Sequence, residues 1–167
     1  MHKGEMVVDI WAGHREMERT TEWESDTIIN VWSTTKTMMF LTLLTLADRG
    51  ELSLTDPVYK YWPEFKANGK EDVEIRHLMA HTAGLSGWDQ KLSAEDLYDH
   101  DKCAAASAAQ ATWWKPGSQS GYHAISQGYL IGEVVKRVTG QSLGNFFREN
   151  FAEPLGADFH IGTGAEH

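Results

Sequence analysis

The sequence predicts an α+β chain in which helices dominate. A run rich in β-branched residues near the N-terminus favours strands, a nearly all-apolar segment in the first third favours a buried helix, and the remainder holds helix-length segments between Gly and Pro turns. The composition, 41% hydrophobic and 23% charged over 167 residues, is typical of one globular domain. The sequence has no repeat, low-complexity tract or flexible linker, so we expect a single domain over residues 1–167.

The first elements are expected to be strands, followed by a helix. Residues 5–13, EMVVDIWAG, follow a turn-like HKGE and predict a strand, and residues 27–32, TIINVW, predict a short buried strand or extended run. Residues 34–49 predict a helix that ends at Gly50. Because its side chains are apolar almost all round, we expect a central helix that is buried on every side.

The rest of the chain predicts a helical region. Further helices are expected at about 74–81, 93–111, 123–139 and 142–151. Gly140 separates the last two, and Ser142 is a good helix N-cap. The expected order is therefore N-terminal strands in 1–32, the central helix in 33–50 and the helical region in 51–162.

Charge and cysteine content exclude several classes of partner. The net charge is −9 and no basic cluster is longer than Lys136-Arg137, which argues against nucleic acid and anionic membranes. Cys103 is alone, so we expect no internal disulfide and no cysteine metal cage. Neither a signal-peptide pattern nor an apolar window of about 18 residues occurs, so we expect a cytoplasmic protein without a membrane span. Nothing in the sequence indicates a cofactor.

Ser33 and Lys36 interrupt the apolar segment VWSTTKTMMF at a spacing that suits catalysis. Residues i and i+3 are neighbours on a helix, so Lys36 can reach the Ser33 hydroxyl. A serine needs a positioned base to become a nucleophile, and a lysine in an apolar surround supplies either a neutral amine or a cation that activates a second base. Serine is also a common helix cap and lysine a common surface charge, so spacing alone leaves both interpretations open.

Four aromatic residues raise further possibilities. His77 and His81 have an i, i+4 spacing that suits a metal, but the segment lacks the Glu of H-E-x-x-H and a third ligand. We therefore expect no metal and interpret both as structural hydrogen-bonding residues. Trp32 is adjacent to Ser33 and Trp88 follows a Gly-containing loop, so each is a candidate for an acyl pocket or for the core.

Three segments in one order resemble the serine beta-lactamase-like hydrolases, and within them the family VIII carboxylesterases. They are Ser33-Thr34-Thr35-Lys36, the RHLMAHTAGL of 76–85, and the Pro-Gly-x4-Tyr block in WKPGSQSGYHAISQGYLIGEVV at 114–135. The resemblance implies a fold that joins an α/β sandwich to an all-α domain. It also implies that Ser33 is acylated by a small ester substrate, that Lys36 is its proton-network partner, and that Tyr122 is the second base.

The chain departs from the penicillin-recognising members beside that tyrosine. Those members typically have Tyr-x-Asn, whereas this chain has Tyr122-His123-Ala124. Because Ala124 has no amide to hold a beta-lactam side chain, the pattern favours the esterase branch over a beta-lactamase or DD-peptidase. His123 is either a substitute polar group for substrate binding or a surface histidine at the start of a helix.

A second departure concerns the end of the chain. The family continues into strands with a Lys-Thr-Gly or His/Trp-x-Gly triplet that supplies an oxyanion-hole N–H, whereas GTG at 162–164 comes too early in the order. We therefore expect a fragment with most of the main sheet missing. Such a chain is expected to be a weak or inactive catalyst, with exposed apolar faces on the central helix that favour self-association. A non-catalytic assembly module is the alternative from another functional class.

Overall fold

The computed structural model describes residues 1–164, which divide into two compact units, one of residues 1–31 and one that begins at Trp32. The first unit contains a tight turn with the bridge His2↔Glu5 and a second bridge, His14↔Glu22. The side chain of Glu16 accepts hydrogen bonds from the backbone N–H groups of Thr20 and Thr21, at 2.7 and 2.8 Å, and so orders the loop between the bridged residues.

The strands predicted in 1–32 do not form in residues 1–164. The HKGE turn is present, but 6–12 forms no β-ladder and its apolar side chains are exposed, Ile10 by 85%. Residues 27–31 are also irregular, with Ile29 63% exposed, so the predicted strand and its burial are wrong. An extended segment needs a neighbouring strand to take up its N–H and C=O groups, and the described residues pair only at isolated bridges.

Helix α1 spans Thr35–Asp48, follows a 3₁₀ turn at Trp32–Thr34, and is succeeded by Gly50 at φ +73°. The helix predicted at 34–49 is therefore confirmed. It is buried on one side only, since Leu43 is fully buried whereas Leu44 is 46% exposed. The prediction that this helix is buried on every side is wrong, because α1 packs against other helices on one face only. The exposed apolar face of α1 was the other expectation from the sequence, and it is observed.

The segment after α1 forms much of the core through short helical turns. Two 3₁₀ turns, Val58–Lys60 and Pro63–Lys66, precede α2 at Ile75–Met79. Side chains that are buried here are Val58, Trp62, Phe65, Val73, Ile75 and Leu78. A capping box between Glu74 and His77 starts α2, which lies within the predicted 74–81.

The helix predicted at 93–111 is divided in two. A 3₁₀ turn at Glu95–Tyr98 is followed by α3 at His100–Ala109. The division falls at Asp99, whose backbone is extended and whose carboxylate accepts a hydrogen bond from the Lys102 N–H at 3.0 Å. This side chain caps a new helix and so ends the preceding turn.

Helix α4, Ser126–Thr139, is the centre of the larger unit because it packs against α1, α2 and α3 and against the helix that follows it. It ends at Gly140, which has the left-handed φ of +74°. The Ser142 hydroxyl then accepts the Asn145 N–H at 3.2 Å, as predicted for an N-cap. The central helix of the described chain is thus α4 rather than the predicted α1.

The last helical segment changes its winding twice. Helix α5 at Leu143–Phe147 continues through a π-helical turn at Arg148–Ala152 into α6 at Glu153–Leu155. No helix within residues 1–164 is long and apolar enough to cross a membrane.

Candidate active site

Ser33 and Lys36 lie together at the start of α1. Ser33 is in the 3₁₀ turn that leads into the helix, and Lys36 is in the first helical turn. The Lys36 Nζ lies 3.3 Å from the Ser33 Oγ and donates a second hydrogen bond of 2.9 Å to the Ala124 carbonyl. The contact between Lys36 and Ser33 agrees with their i, i+3 spacing. The Ala124 carbonyl holds the ammonium group beside the hydroxyl.

Tyr122 completes the cluster from a distant part of the chain. Its hydroxyl lies 2.6 Å from the Ser33 Oγ, and the Lys36 Nζ is 5.0 Å from the centre of its ring. The hydrogen bond with Ser33, supported by the Lys36 cation, lowers the pKa of the Tyr122 phenol below its ordinary value. The three side chains therefore form one cluster of mutual polar contacts around the Ser33 hydroxyl.

His81 holds the backbone on both sides of Tyr122. The His81 carbonyl accepts the Gly121 N–H at 3.0 Å, and its Nδ1 accepts the His123 N–H at 3.1 Å. Its ring centre is 4.7 Å from that of Tyr122, and its backbone has a left-handed φ of +60°. Burial, reinforced by the Lys36 charge, lowers the pKa of His81, which keeps Nδ1 free to accept.

The sequence suggested a structural hydrogen-bonding role for His81 but not its contact with Tyr122. No local pattern signals a contact between residues that lie so far apart along the chain. His77 also engages the backbone, since its Nδ1 accepts the Glu74 N–H at 3.1 Å. The two histidine rings thus accept hydrogen bonds from different backbone N–H groups, in line with their interpretation as hydrogen-bonding residues.

His123 is not on the surface and does not face Ser33. Its side chain is fully buried, its Nδ1–H donates to the Gly121 carbonyl at 2.6 Å, and its Nε2 accepts the Leu85 N–H at 3.3 Å. Burial lowers the pKa of this imidazole, so the neutral form is favoured. Both ring nitrogens are occupied by backbone groups, and the structure does not bring His123 to a substrate position.

The two candidate tryptophans have different positions. Trp32 lies beside Ser33 and lines a cavity there, with an unusual left-handed φ of +49°. Trp88 instead donates from Nε1 to the Cys103 carbonyl at 3.1 Å and to the Ser107 Oγ at 2.8 Å. Trp88 therefore anchors its loop to α3 through these hydrogen bonds. It is not among the residues that line the cavity beside Ser33.

A cluster that the sequence did not single out lies between α3 and α4. One ligand atom each from His100, Asp101 and Glu133 lies within 4.8 Å of the others. Asp101 is paired with the Lys136 ammonium at 2.6 Å, and Glu133 with the Arg137 guanidinium at 2.7 Å. These cations already neutralise the carboxylates, so we interpret the cluster as an ion-pair network between the two helices.

Comparison with known protein families matches nearly the whole chain. The family model described as Beta-lactamase matches residues 1–166, and the chain belongs to this family. The resemblance to serine beta-lactamase-like hydrolases is therefore confirmed, together with the α+β fold class of which this chain supplies a mostly helical part.

Individual relatives include named esterases. Esterase/beta-lactamase LipL of Mycobacterium tuberculosis is 38% identical over 95% of this chain and 37% of its own length. Esterase EstB of Burkholderia gladioli is 32% identical over 92% of this chain and 43% of its own length. The crystal structure of a family VIII carboxylesterase matches with a TM-score of 0.90 and 44% identity, over 93% of this chain and 43% of that one. The chain thus spans well under half the length of these relatives.

Proposed function

We propose that this chain carries the nucleophilic site of a serine hydrolase that cleaves carboxylic esters. The observation that carries the proposal is the convergence of the Tyr122 hydroxyl and the Lys36 ammonium on the Ser33 Oγ, at 2.6 and 3.3 Å. Among the tyrosines of residues 1–164 with a shifted pKa, Tyr122 is the one whose pKa is lowered, and it lies beside an exposed serine and a fixed cation.

The geometry supports a two-step reaction. Tyr122 accepts the Ser33 proton as Oγ attacks the ester carbonyl, and the Lys36 charge favours the phenolate that receives this proton. The negative charge on the former carbonyl oxygen is favoured by the N-terminal end of α1, where backbone N–H groups lack partners within the helix. Tyr122 then returns the proton to the departing alcohol, and water releases the acid from acyl-Ser33.

The neighbourhood of Tyr122 supports an ester rather than a beta-lactam as substrate. Ala124 presents no side-chain amide, and its carbonyl is used by Lys36. His123 is buried and offers no replacement. The names of LipL, EstB and the family VIII carboxylesterase all include esterase activity, which adds weight to an ester substrate for this chain.

A beta-lactamase or DD-peptidase reaction is the second candidate. LipL is named as both esterase and beta-lactamase, and a penicillin-binding protein homolog from Caulobacter crescentus matches with a TM-score of 0.89 and 37% identity. We expect little acylation of Ser33 by a penicillin or cephalosporin, measured as a mass increase of the intact chain. Rapid acylation by either compound would favour this candidate over the esterase.

A non-catalytic assembly module is the third candidate, and its support is the exposed apolar face of α1. Leu41 and Leu44 are 40% and 46% exposed on that face. If this surface mediates self-association, size-exclusion chromatography will show oligomers that Leu41→Lys and Leu44→Lys dissociate. A cytoplasmic location likewise remains a proposal from the sequence.

The esterase proposal is tested by labelling Ser33. The purified chain is incubated with a fluorophosphonate, and the adduct is located by intact mass and peptide mapping. We expect a single adduct, which is lost in Ser33→Ala. Ser118→Ala is the matched control and should keep the adduct, because Ser118 is also exposed but its hydroxyl donates to the Lys115 carbonyl. A folded chain that gains no adduct on Ser33 would refute the proposal.

A further inference from the structure

His81 occupies a backbone position that usually belongs to glycine or asparagine. It comes two residues after the end of α2 at Met79, and its φ is +60°. A left-handed residue just beyond a helix is most often Gly and sometimes Asn, because a Cβ is crowded in this conformation. A histidine here therefore calls for a contribution from its side chain.

The His81 side chain holds the peptide unit that follows Tyr122. Its Nδ1 accepts the His123 N–H at 3.1 Å, and its ring centre lies 4.7 Å from that of Tyr122. The His123 nitrogen shares one planar peptide unit with the Tyr122 carbonyl, so this hydrogen bond fixes the backbone from which the tyrosine ring projects. The His81 carbonyl fixes the other side by accepting the Gly121 N–H at 3.0 Å.

The place of the Tyr122 hydroxyl depends on this support. Tyr122 is 55% exposed, so the core does not surround its ring. The backbone on either side and the face of the His81 imidazole determine where the phenol points. Its hydroxyl lies 2.6 Å from the Ser33 Oγ, and a shift of about 1 Å is enough to break a hydrogen bond of this length.

Protonation of the imidazole reverses its contact with the backbone. The charged ring carries a hydrogen on both nitrogens, so Nδ1–H would face the His123 N–H and two donors would oppose each other. The titratable groups that face the ring are Lys36 from α1, and Tyr122 and His123 from the segment before α4. Burial and the Lys36 charge lower the pKa of His81 below its ordinary value of about 6.5. The contact is therefore intact at neutral pH and is lost as the pH falls.

We propose that His81 is the positioning residue of Tyr122, and that protonation of its Nδ1 moves the phenol away from Ser33 and prevents acylation. The inference rests on the proposed esterase function and specifies how pH regulates that site. At neutral pH the imidazole accepts the His123 N–H and the phenol is in place. At acidic pH two conditions fail together, because Tyr122 keeps its own proton and also loses its position.

Two variants separate the acceptor from the backbone conformation. Asn and Gly both suit a left-handed φ, but Asn carries an oxygen where His81 has Nδ1, whereas Gly has no acceptor. With p-nitrophenyl butanoate at pH 7.5, we expect kcat to fall by about 10²-fold in His81→Gly and to stay within about threefold in His81→Asn, with KM nearly unchanged in both. Circular dichroism melts verify that both variants fold. Equal kcat values in the two variants would overturn the inference.

The acidic limb of the rate profile gives a readout that a purely structural role would not change. Between pH 4.5 and 7.5, loss of the Tyr122 phenolate gives log(kcat/KM) a slope of about one, and protonation of His81 raises the slope toward about two. We expect His81→Asn to keep a slope of about one throughout. A variant that retains the steeper wild-type limb would contradict the inference.

His77→Asn is the matched control for this profile. The Nδ1 of His77 also accepts a backbone N–H, from Glu74 at 3.1 Å, and burial also lowers its pKa. This contact holds the start of α2 rather than Tyr122. The control should therefore show the steeper limb of the wild type, and a limb reduced as in His81→Asn would count against a specific role for His81.

Nuclear magnetic resonance tests the inference without ester hydrolysis. Tyrosine is labelled with carbon-13 at Cζ, and the Tyr122 signal is identified by its loss in Tyr122→Phe. We expect this signal to shift as pH falls from 7.5 to 4.5 in the wild type, and the shift to be absent in His81→Asn. No shift in the wild type, or the same shift in both chains, would refute the inference. A wild type that shows the shift but hydrolyses no ester would refute only the esterase function.

Discussion

The hydroxyl oxygens of Tyr122 and Ser33 lie 2.6 Å apart although 89 positions separate the two residues in the sequence. Ser33 is placed by the start of α1, and Tyr122 by the segment that leads into α4. The packing of α1 against α4 therefore brings Ser33 and Tyr122 together. Any change that alters this packing is expected to affect the proposed reaction without touching either side chain.

Replacing Tyr122 by Phe tests its role as the base. The variant keeps the ring against His81 but removes the proton acceptor, so we expect the acylation rate of Ser33 to fall by about 10²–10⁴-fold. The measurement is the release of p-nitrophenolate in the first turnover. Tyr98→Phe is the matched control because Tyr98 is 93% exposed, and its rate should equal that of the wild type. Equal rates in Tyr122→Phe and the wild type would exclude this base.

Replacing Lys36 by Met tests the effect of the cation on Tyr122. The positive charge stabilises the phenolate, so its removal raises the pKa of Tyr122. The rise of the acylation rate with pH should therefore occur at higher pH than in the wild type. The profile is recorded by stopped-flow between pH 6 and 10.

Lys66→Met serves as the control for Lys36→Met. The Lys66 ammonium also lies over a tyrosine ring, 5.1 Å from the centre of Tyr59, but this pair is remote from Ser33. Its pH profile should match that of the wild type. A Lys36→Met profile without a shift would mean that the ammonium does not influence the base.

The buried imidazoles make stability depend on pH. Burial lowers the pKa of His77, His81 and His123 in the folded chain, so the unfolded chain binds protons more readily than the folded one as pH falls below about 6.5. Stability is thus full above pH 6.5 and declines as pH falls toward the lowered folded values. We expect a lower urea midpoint at pH 5 than at pH 7.5.

His123→Gln separates the contribution of the most deeply placed of these histidines. The glutamine keeps an acceptor for the Leu85 N–H but does not titrate, so the difference in urea midpoint between pH 5 and pH 7.5 should shrink. His2→Gln, at an exposed position, should leave the difference unchanged. A His123→Gln chain with the full wild-type difference would assign the effect to other groups.

Adjacent leucines on α1 test its one-sided burial. Leu43 is fully buried whereas Leu44 is 46% exposed. We expect Leu43→Ala to reduce the free energy of unfolding by about 2–5 kcal/mol, because it leaves a cavity in the core. Leu44→Ala should cost less than about 1 kcal/mol in a monomeric chain. Similar losses in urea denaturation would show that α1 is covered on both faces.

The elements that the sequence alone determined are governed by neighbouring residues. The spacing of Ser33 and Lys36 brings their side chains together on any helix. Gly140 and Ser142 set the end of α4 and the start of α5, because a left-handed φ and a side-chain cap are local properties. The same holds for α1, whose length follows from its apolar run and from Gly50.

Tertiary structure decided the features that depend on which surfaces meet. The strands expected in 1–32 require pairing partners, and the described residues provide none for them. The burial of His123 and the contact of His81 with Tyr122 each join residues from separate segments. Sequence periodicity reports which face of an element is apolar, but not what covers that face. Packing between distant segments therefore placed Tyr122 and its neighbour His81 beside Ser33, whereas local geometry placed Lys36 there.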